Sequence, residues 1–283
     1  MVKPAAYRRA VGFVQAEMKL STRRSCRALG FARSSMTYES RRAQPSGLVE
    51  RMKALATQRP RFGYRRLHTL LGREGFKVNH KRVYRLYRLE GLSVRKKARR
   101  KLAGHIERTV LPPPTRPNER WSMDFVSDAT VTGRRFRTFN IVDDFTRECL
   151  AISVDSSING HRVARLLGEL VVARGKPQFI VSDNGPEFIS KALDRWAYET
   201  DVKLHFIRPG KPVENAFIES FNGRFRDECL DQHWFADLAD ARSTIGAWRV
   251  DYNEVRPHGS LGGLTPKEYA ARINNPGLTL RVA

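Results

Sequence analysis

Cysteine is scarce in this sequence, and its placement argues against two classes of small protein. Only Cys26, Cys149 and Cys229 occur among the 283 residues, and no Cys-x-x-Cys pair exists. Because an odd number of scattered cysteines does not form a disulfide framework, the chain suits a reducing compartment. No pair of histidines lies at zinc-finger spacing beside cysteines, so a structural zinc site is not expected either.

Long apolar segments are also missing. No run of about 18 apolar residues occurs, and the N-terminus has no apolar signal region. We therefore expect a soluble, intracellular protein that has no membrane partner.

Acidic residues are rare in the N-terminal part of the chain. Residues 1–120 contain 31 Lys and Arg against 7 Asp and Glu, whereas residues 121–283 contain 21 against 22. The whole net charge of +23 therefore comes from the N-terminal part. A basic block joined to a neutral one indicates a nucleic-acid-binding region attached to something else. The alternative is a basic arm that only keeps the chain soluble.

Residues 1–45 have the pattern of a small helical unit. Ser21 and Ser34 are predicted to cap two short helices, with Gly30 in the left-handed conformation between them. With its several arginines the unit resembles a helix-turn-helix. The apolar residues that recur at helical spacing before it are Ala10, Val11, Val14 and Met18.

Residues 46–101 are predicted to form a second helix-turn-helix-like unit. Asn79 should cap its last helix, and Gly91 should end it. An exposed basic helix after a short turn has the geometry that enters a DNA major groove, although it could also be a solvated surface helix. The cations on the outer side of this helix are Lys81, Arg82, Arg85 and Arg88.

The periodicity changes after residues 102–118, a proline-rich basic segment that we interpret as a linker. Over residues 119–272 short apolar strands alternate with helical stretches, and residues 273–283 form a tail. The alternation predicts an α/β domain, a mixed five-stranded sheet flanked by helices. The predicted strands are Trp121–Val126, Phe136–Val142, Cys149–Val154, Gln178–Ser182 and Lys203–Ile207.

Three carboxylates in this domain are candidates for one site. Asp124 and Asp183 lie on or directly after predicted strands, and Glu219 lies in a helical pattern with 35 residues between it and Asp183. Carboxylates brought close together repel one another, and a bound cation removes that cost. Oxygen ligands suit Mg²⁺ or Mn²⁺, and a pair of such ions can promote attack on a phosphodiester.

Other acidic residues near these motifs have less certain roles. Asp143 and Asp144 end a strand, where they could simply shape a hairpin turn. Glu187 is close enough to Asp183 to support it indirectly.

Arg226 lies on the same helical face as Glu219 and could bind phosphate, but it could also pair with Asp227 or Glu228 on the surface.

Several motifs together resemble a known family. Three segments resemble the DDE signature of retroviral-integrase-type enzymes: Trp121-Ser122-Met123-Asp124, Ser182-Asp183-Asn184-Gly185 and Glu219-Ser220-Phe221-Asn222. Arg226, seven residues after Glu219, matches the extended signature of the IS-three family of bacterial insertion-sequence transposases. Two further segments resemble its helix-turn-helix and the C-terminal end of its core: Arg61-Phe62-Gly63-Tyr64-Arg65-Arg66-Leu67 with residues 79–86, and Tyr252-Asn253-Glu254-Val255-Arg256-Pro257-His258 with Leu261 and Thr265-Pro266.

The resemblance implies a ribonuclease H-like core in which Asp124, Asp183 and Glu219 are catalytic and bind two Mg²⁺ or Mn²⁺ ions. The implied reaction is cleavage of element ends followed by strand transfer by the liberated 3′-hydroxyl. The chain resembles an OrfB product, which is often fused to an upstream OrfA segment by frameshifting. Unlike retroviral integrases, it has basic helical units in place of an N-terminal His/Cys zinc domain.

The implied partners are double-stranded DNA, as element ends and as target, and further copies of the chain on that DNA. The OrfA product, separate or fused, is another. Such a protein would act in the bacterial cytoplasm, at the nucleoid. The residues expected to contact DNA are Arg226, Asn222, Lys211, Lys81, Arg82, Arg85, Arg88, Arg65 and Arg66.

Two rival functions fit parts of the sequence. A non-catalytic DNA-binding regulator of transposition would share the basic N-terminal part, but it would not need three converging carboxylates. A ribonuclease H-type nuclease would cleave nucleic acid without joining it. Metal-dependent nicking separates the first rival from a transposase, and detection of joined product separates the second.

Overall fold

The computed structural model describes residues 4–38, 46–94, 112–208 and 215–274. By its internal contacts the chain divides into two compact units, Met1–Ser46 and Gly47–Ala283. The elements of the first unit are α1 (Pro4–Met18), α2 (Thr22–Ala28) and α3 (Arg33–Thr37).

The first unit confirms part of the sequence prediction. Val11 and Cys26 are buried, and Gly30 has a left-handed φ of +61°. The cap predicted at Ser34 is wrong, because α3 already begins at Arg33 and Ser34 lies inside it. Met18 is 66% exposed although it was predicted to face inward, because α1 ends at that residue.

Three helices, α4 (Ser46–Gln58), α5 (Tyr64–Arg73) and α6 (His80–Leu89), open the second unit. Asn79 caps α6 as predicted, since its side chain accepts the Lys81 backbone N–H at 2.8 Å. The three helices, hereafter the helical segment, enclose an apolar core of their own. Its buried members include Leu48, Met52, Leu55, Phe62, Leu67, Leu70, Leu71, Val83, Leu86 and Tyr87.

A mixed five-stranded sheet follows, with the strand order β3-β2-β1-β4-β5. β1 pairs with β2, and β2 with β3, in antiparallel fashion, whereas β4 runs parallel to both β1 and β5. This confirms the predicted ribonuclease H-like sheet flanked by helices. The strands are β1 (Arg120–Ala129), β2 (Arg135–Asp143), β3 (Cys149–Asp155), β4 (Phe179–Ser182) and β5 (Lys203–Phe206).

The helices of this part are α7 (Gly160–Arg174), α8 (Lys191–Thr200), α9 (Ala216–Glu228), α10 (Leu238–Glu254) and α11 (Pro266–Asn274). None of the helices in the described ranges is long and apolar enough to cross a membrane.

The two faces of the sheet carry separate apolar cores. Trp121 and Met123 point into a core shared with α7 and α8. Val126 points into a second core, shared with α9 and α10. Because side chains alternate along a strand, Asp124 faces the same side as Val126, toward α9.

Candidate active site

Asp124 lies in the middle of the central strand β1 and is partly buried. Its Oδ1 accepts the backbone N–H of Phe125 at 2.7 Å, and its Oδ2 accepts the Nδ2–H of Asn222 at 2.7 Å. Burial raises the pKa of Asp124 to about 6, and the negative charges of Asp183 and Glu219 add to the rise against these two hydrogen bonds. The negative charges of the other two candidate carboxylates therefore act on the pKa of Asp124.

Asp183 directly follows β4, which is parallel to β1. Ser122 is paired with Val181, so two residues further along both strands Asp124 and Asp183 lie at the same level. Asp183 Oδ1 accepts the Gly185 N–H at 3.1 Å, and Asn184 Nδ2 donates to the Ile207 carbonyl at 2.7 Å. The turn is thus held from both sides, with Asp183 at the carboxyl edge of the sheet, where α/β proteins commonly bind ligands.

Glu219 lies in the first turn of α9 and is exposed. Asn215, immediately before the helix, is buried and donates its Nδ2–H to the Met123 carbonyl at 3.3 Å. This bond ties the start of α9 to the strand that carries Asp124. Partial burial raises the pKa of the Glu219 carboxyl above its ordinary value.

Asp124 and Asp183 lie at one level of the sheet, and Glu219 lies on the helix that faces Asp124, but the three side chains do not form a metal-binding cluster. Within the described ranges, no three His, Cys, Asp or Glu side chains lie at the spacing of a metal site. The donor atoms of these side chains are all carboxylate oxygens, which is the donor type that a hard divalent cation prefers. Asp124, Asp183 and Glu219 are therefore the candidate ligands for such an ion, although the side chains would have to move closer together to hold it.

The Asn222 side chain forms hydrogen bonds with residues of two neighbouring strands, β1 and β2. Its Oδ1 accepts the Nδ2–H of Asn140 on β2 at 2.8 Å, while its Nδ2 donates to Asp124. The side chain is 7% exposed, so its amide is used inside the protein. We predicted Asn222 as a DNA contact, whereas the structure places it behind Asp124, where it fixes the carboxylate. Asn140, which makes this possible, was not singled out from the sequence.

Arg226 is exposed on α9, two turns beyond Glu219. The acidic neighbours that could have neutralised it have other partners, since Asp227 pairs with Arg61 and Glu228 with Arg256. Among the described residues Arg226 has no ion-pair partner, which leaves the phosphate hypothesis open. Lys211 lies outside the described residues.

The predicted DNA contacts of the helical segment fall into two groups. Lys81, Arg82 and Arg85 are exposed on α6, and within the described residues none of them has an acidic partner. Arg88 is exposed and donates to the Tyr84 hydroxyl at 3.5 Å, and Arg65 to that of Tyr64 at 3.2 Å. Arg66 points instead toward the α/β core, where it pairs with Glu228 at 2.8 Å.

The additional acidic residues have structural partners. Asp143 accepts the backbone N–H groups of Asn118, Phe145 and Thr146, which is the hairpin-shaping role considered from the sequence. Asp144 is buried and paired with Arg120, and burial raises its pKa to about 6.

Glu187 pairs with Arg137 on β2. Burial opposes its ionised form, but hydrogen bonding and the charge of Arg137 outweigh that effect and hold the pKa of Glu187 below its ordinary value.

Comparisons with known proteins agree with this architecture. Two family models described as "Integrase core domain" match residues 114–212 and 200–266, and one described as "HTH-like domain" matches residues 45–101. Among solved structures, the magnesium-bound catalytic core of HTLV-2 integrase is 19% identical. It covers 54% of this chain and 97% of its own, with a TM-score of 0.44.

Relatives of known sequence span nearly the whole chain. The insertion element IS407 31.7 kDa protein of Burkholderia multivorans is 52% identical over 92% of this chain and 94% of its own length. The putative transposase InsK of insertion sequence element IS150 from Escherichia coli is 29% identical over 77% of this chain and 80% of its own. The chain therefore belongs to the IS-three family of insertion-sequence transposases, with an HTH-like domain ahead of an integrase core.

Proposed function

We propose that this chain cleaves the DNA ends of an insertion element and joins them to a target, with Asp124, Asp183 and Glu219 as the catalytic carboxylates. One observation carries the proposal: on an integrase core, Asp124 on β1 and Asp183 after β4 lie at the same level of the sheet, and Asn215 ties the start of the helix that carries Glu219 to β1. A purely structural role does not require acidic residues from three separate motifs on these neighbouring elements.

In the proposed reaction the three carboxylates hold two Mg²⁺ or Mn²⁺ ions. When bound, these ions supply positive charge that activates the attacking water or 3′-hydroxyl and stabilises the leaving oxygen. Asn222 keeps Asp124 oriented toward the site, and Asn215 fixes the start of the helix that carries Glu219.

The DNA would be held by cations that the protein leaves available. Arg226 is placed for a phosphate near the scissile bond, because two helical turns separate it from Glu219, about 10 Å along the helix axis. A guanidinium can donate two parallel hydrogen bonds to a phosphate. Lys81, Arg82 and Arg85 on α6 are available for element DNA.

We further propose that the chain acts at the bacterial nucleoid, as an oligomer assembled on DNA. An OrfA segment, separate or fused, would be an additional partner. Light scattering tests the oligomer and the OrfA partner. The mass of the complex is measured after the chain is mixed with element-end DNA, with and without the OrfA segment.

The catalytic assignment is tested by cleavage and joining of element-end DNA in Mg²⁺. Asp124→Asn, Asp183→Asn and Glu219→Gln should each abolish both steps while DNA binding persists, because each removes a ligand charge and keeps the shape. Glu169→Gln is the matched control, since Glu169 is exposed on α7. A regulator would show no nicking even in the unmodified chain, and a nuclease would give nicks without joined product.

A further inference from the structure

Two sequence motifs nearly 200 residues apart meet at one buried carboxylate, Glu228, the last residue of α9. Arg256, from the motif at the end of α10, donates its Nε–H to Oε2 and an Nη2–H to Oε1, both at 2.6 Å. Arg66, from α5, donates to Oε1 at 2.8 Å. The Glu228 side chain is 8% exposed.

The carboxyl of Glu228 is held ionised in this position. Burial opposes ionisation, but the hydrogen bond from Arg256 and the positive charges of Arg256 and Arg66 prevail and keep the pKa of Glu228 below its ordinary value. Removing one partner from a buried, hydrogen-bonded ion pair is strongly destabilising, because it leaves an uncompensated charge. The cluster, hereafter the joint, therefore links the helical segment to the core through a buried ion pair that is costly to break.

Among the residues that the structure describes, the remaining ion pairs across this boundary have the same polarity, with arginine on the helical segment and a carboxylate on the core. Arg59 makes a two-pronged pair with Asp251 on α10. The outer pairs are Arg61 with Asp227 at 3.2 Å and Arg73 with Glu268 at 2.6 Å.

The buried ring of Phe62 contacts three guanidinium groups. The distance from the Cζ atom to the ring centroid is 5.1 Å for Arg59, 5.0 Å for Arg66 and 6.0 Å for Arg256. The apolar core of the helical segment is separate from both cores of the sheet, and among the described residues the ion pairs and the Phe62 ring contribute to the boundary between them.

The joint and one of the proposed catalytic residues lie on the same helix. Glu228 and Glu219 lie on the same helix, nine residues or about 13 Å apart along its axis. On the other side of Glu228, Arg66 belongs to α5, whose buried leucines pack against Val83 and Leu86 of α6. The basic side chains of α6 are exposed, and none of them is a partner of Glu228.

We propose that Glu228 is a positioning residue that holds the DNA-binding helix α6 at a fixed distance from the catalytic carboxylates, and so sets where the element end is cut. The proposal rests on the proposed function. It assigns Arg59 and Arg66 to the joint rather than to DNA. If the joint is loosened, α6 still binds DNA and the carboxylates still cut, but the cuts spread over several positions.

The first test maps cut positions on element-end DNA by sequencing the products of the full chain. Glu228→Gln and Arg59→Asp should each lower cleavage at the main position by about tenfold and scatter the remaining cuts. Combining Arg59→Asp with Asp251→Arg restores the opposite charges and should return most of the main cut. An Arg51→Asp, Glu74→Arg swap is the matched control, because that pair is also two-pronged but lies within the helical segment.

Urea unfolding verifies that each variant folds. If Glu228→Gln does not fold, the cut patterns of Arg59→Asp and of its combination with Asp251→Arg test the proposal. An unchanged cut pattern in folded Arg59→Asp would overturn the proposal. So would a rate loss without scatter that the charge swap does not rescue, because such a loss indicates ordinary destabilisation.

A second test does not depend on activity, so it separates this proposal from the catalytic one. Spin labels at Leu89→Cys on α6 and Glu169→Cys on α7 lie at exposed positions, while Cys26, Cys149 and Cys229 are buried. The label-to-label distances should be narrowly distributed in the parent chain and broad with Arg59→Asp. Equal widths in the two proteins would refute the joint, even if the chain proved inactive on DNA.

Discussion

At the scale of single residues, the site depends on side chains placed where burial works against their charge. Asp124 is the clearest case, since its pKa of about 6 means that its ionised form is disfavoured in the folded protein. The sequence could identify Asp124 from its motif, but not its surroundings. Asn215 could be recognised as a neighbour of Glu219 on the same helical face, four residues earlier, but its bond to β1 could not. Asn140 was not singled out, and it reaches the site only because β2 pairs with β1.

We expect Asp124→Asn to stabilise the metal-free protein. The folded pKa is raised above the unfolded value of 3.8, so ionisation costs stability once the pH rises through the window from 3.8 to about 6. Above that window, removing the charge should add at most about 3 kcal/mol to the free energy of unfolding, less the cost of the hydrogen bond from Asn222 if the new amide cannot accept it. Urea unfolding in EDTA at pH 7.5 and at pH 3.5 measures this, and equal effects at the two pH values would contradict it.

His258 should make the fold sensitive to acid. Burial, with the nearby charge of Arg256, lowers its pKa to about 3 against its hydrogen bond with the Tyr252 carbonyl. Between about pH 3 and the ordinary value of 6.5 the unfolded chain binds the extra proton, so stability falls as the pH falls through that range. His258→Gln should flatten this part of the curve of unfolding free energy against pH. A slope equal to that of the parent chain would show that His258 is not the cause.

At the scale of elements, the sequence predicted the strands well and the helix ends less well. All five strands were placed within three residues of their observed ends, because alternation and turn residues mark strands clearly. The cap at Ser34 failed because α3 starts one residue earlier. Alternation also indicates which side of β1 carries Asp124, but not which helix covers that side. The helical pattern around Glu219 made that helix a candidate from the sequence, and the resemblance supported it, but the packing of α9 on β1 is seen only in the structure.

Helix α9 offers a test that separates metal binding from DNA binding. Asn222→Ala removes the hydrogen bond that orients Asp124, so it should lower cleavage by about tenfold or more and raise the Mg²⁺ concentration needed. Arg226→Ala should instead weaken strand transfer with an unchanged Mg²⁺ dependence, because Arg226 is exposed two turns away. Both are measured by titrating Mg²⁺ in the joining assay, with Arg224→Ala on the same helix as control.

If the two α9 variants shift the Mg²⁺ dependence equally, the separation of roles along α9 is wrong. Joining at the parent rate by Arg226→Ala would remove Arg226 from the site.

At the scale of the whole molecule, charge is divided between two tasks. One set of cations on the helical segment faces outward, and another set binds the carboxylates of the core. The sequence showed that the excess of positive charge lies in the N-terminal part and that the cations of α6 lie on its outer side, but it did not show which arginines bind the carboxylates of the core. Arg59 and Asp251 are 192 positions apart, so their pairing depends on the complete topology and could not be deduced from local pattern.

The charge division can be measured with two fragments. Residues 1–110 should bind DNA strongly, and a fragment from residue 118 onward weakly. In the first fragment the carboxylate partners of four arginines are absent, so these arginines can bind phosphates: Arg59, Arg61, Arg66 and Arg73. The DNA affinity of this fragment should therefore fall with rising salt more steeply than the DNA affinity of the whole chain. Fluorescence anisotropy over a salt series gives both slopes. Equal affinity of the two fragments at moderate salt would argue against the division.

The turn after β4 also bears on the chemical lifetime of the protein. Asn184-Gly185 is a sequence prone to deamidation, which begins when the glycine nitrogen attacks the asparagine side chain. Here that N–H is donated to Asp183 and the Asn184 amide to the Ile207 carbonyl, so both reacting groups are held back. We therefore expect Asp183 to slow the deamidation of Asn184. Deamidation would place another negative charge beside the candidate carboxylates, and peptide mass mapping of stored Asp183→Ala protein should find it sooner than in the parent chain.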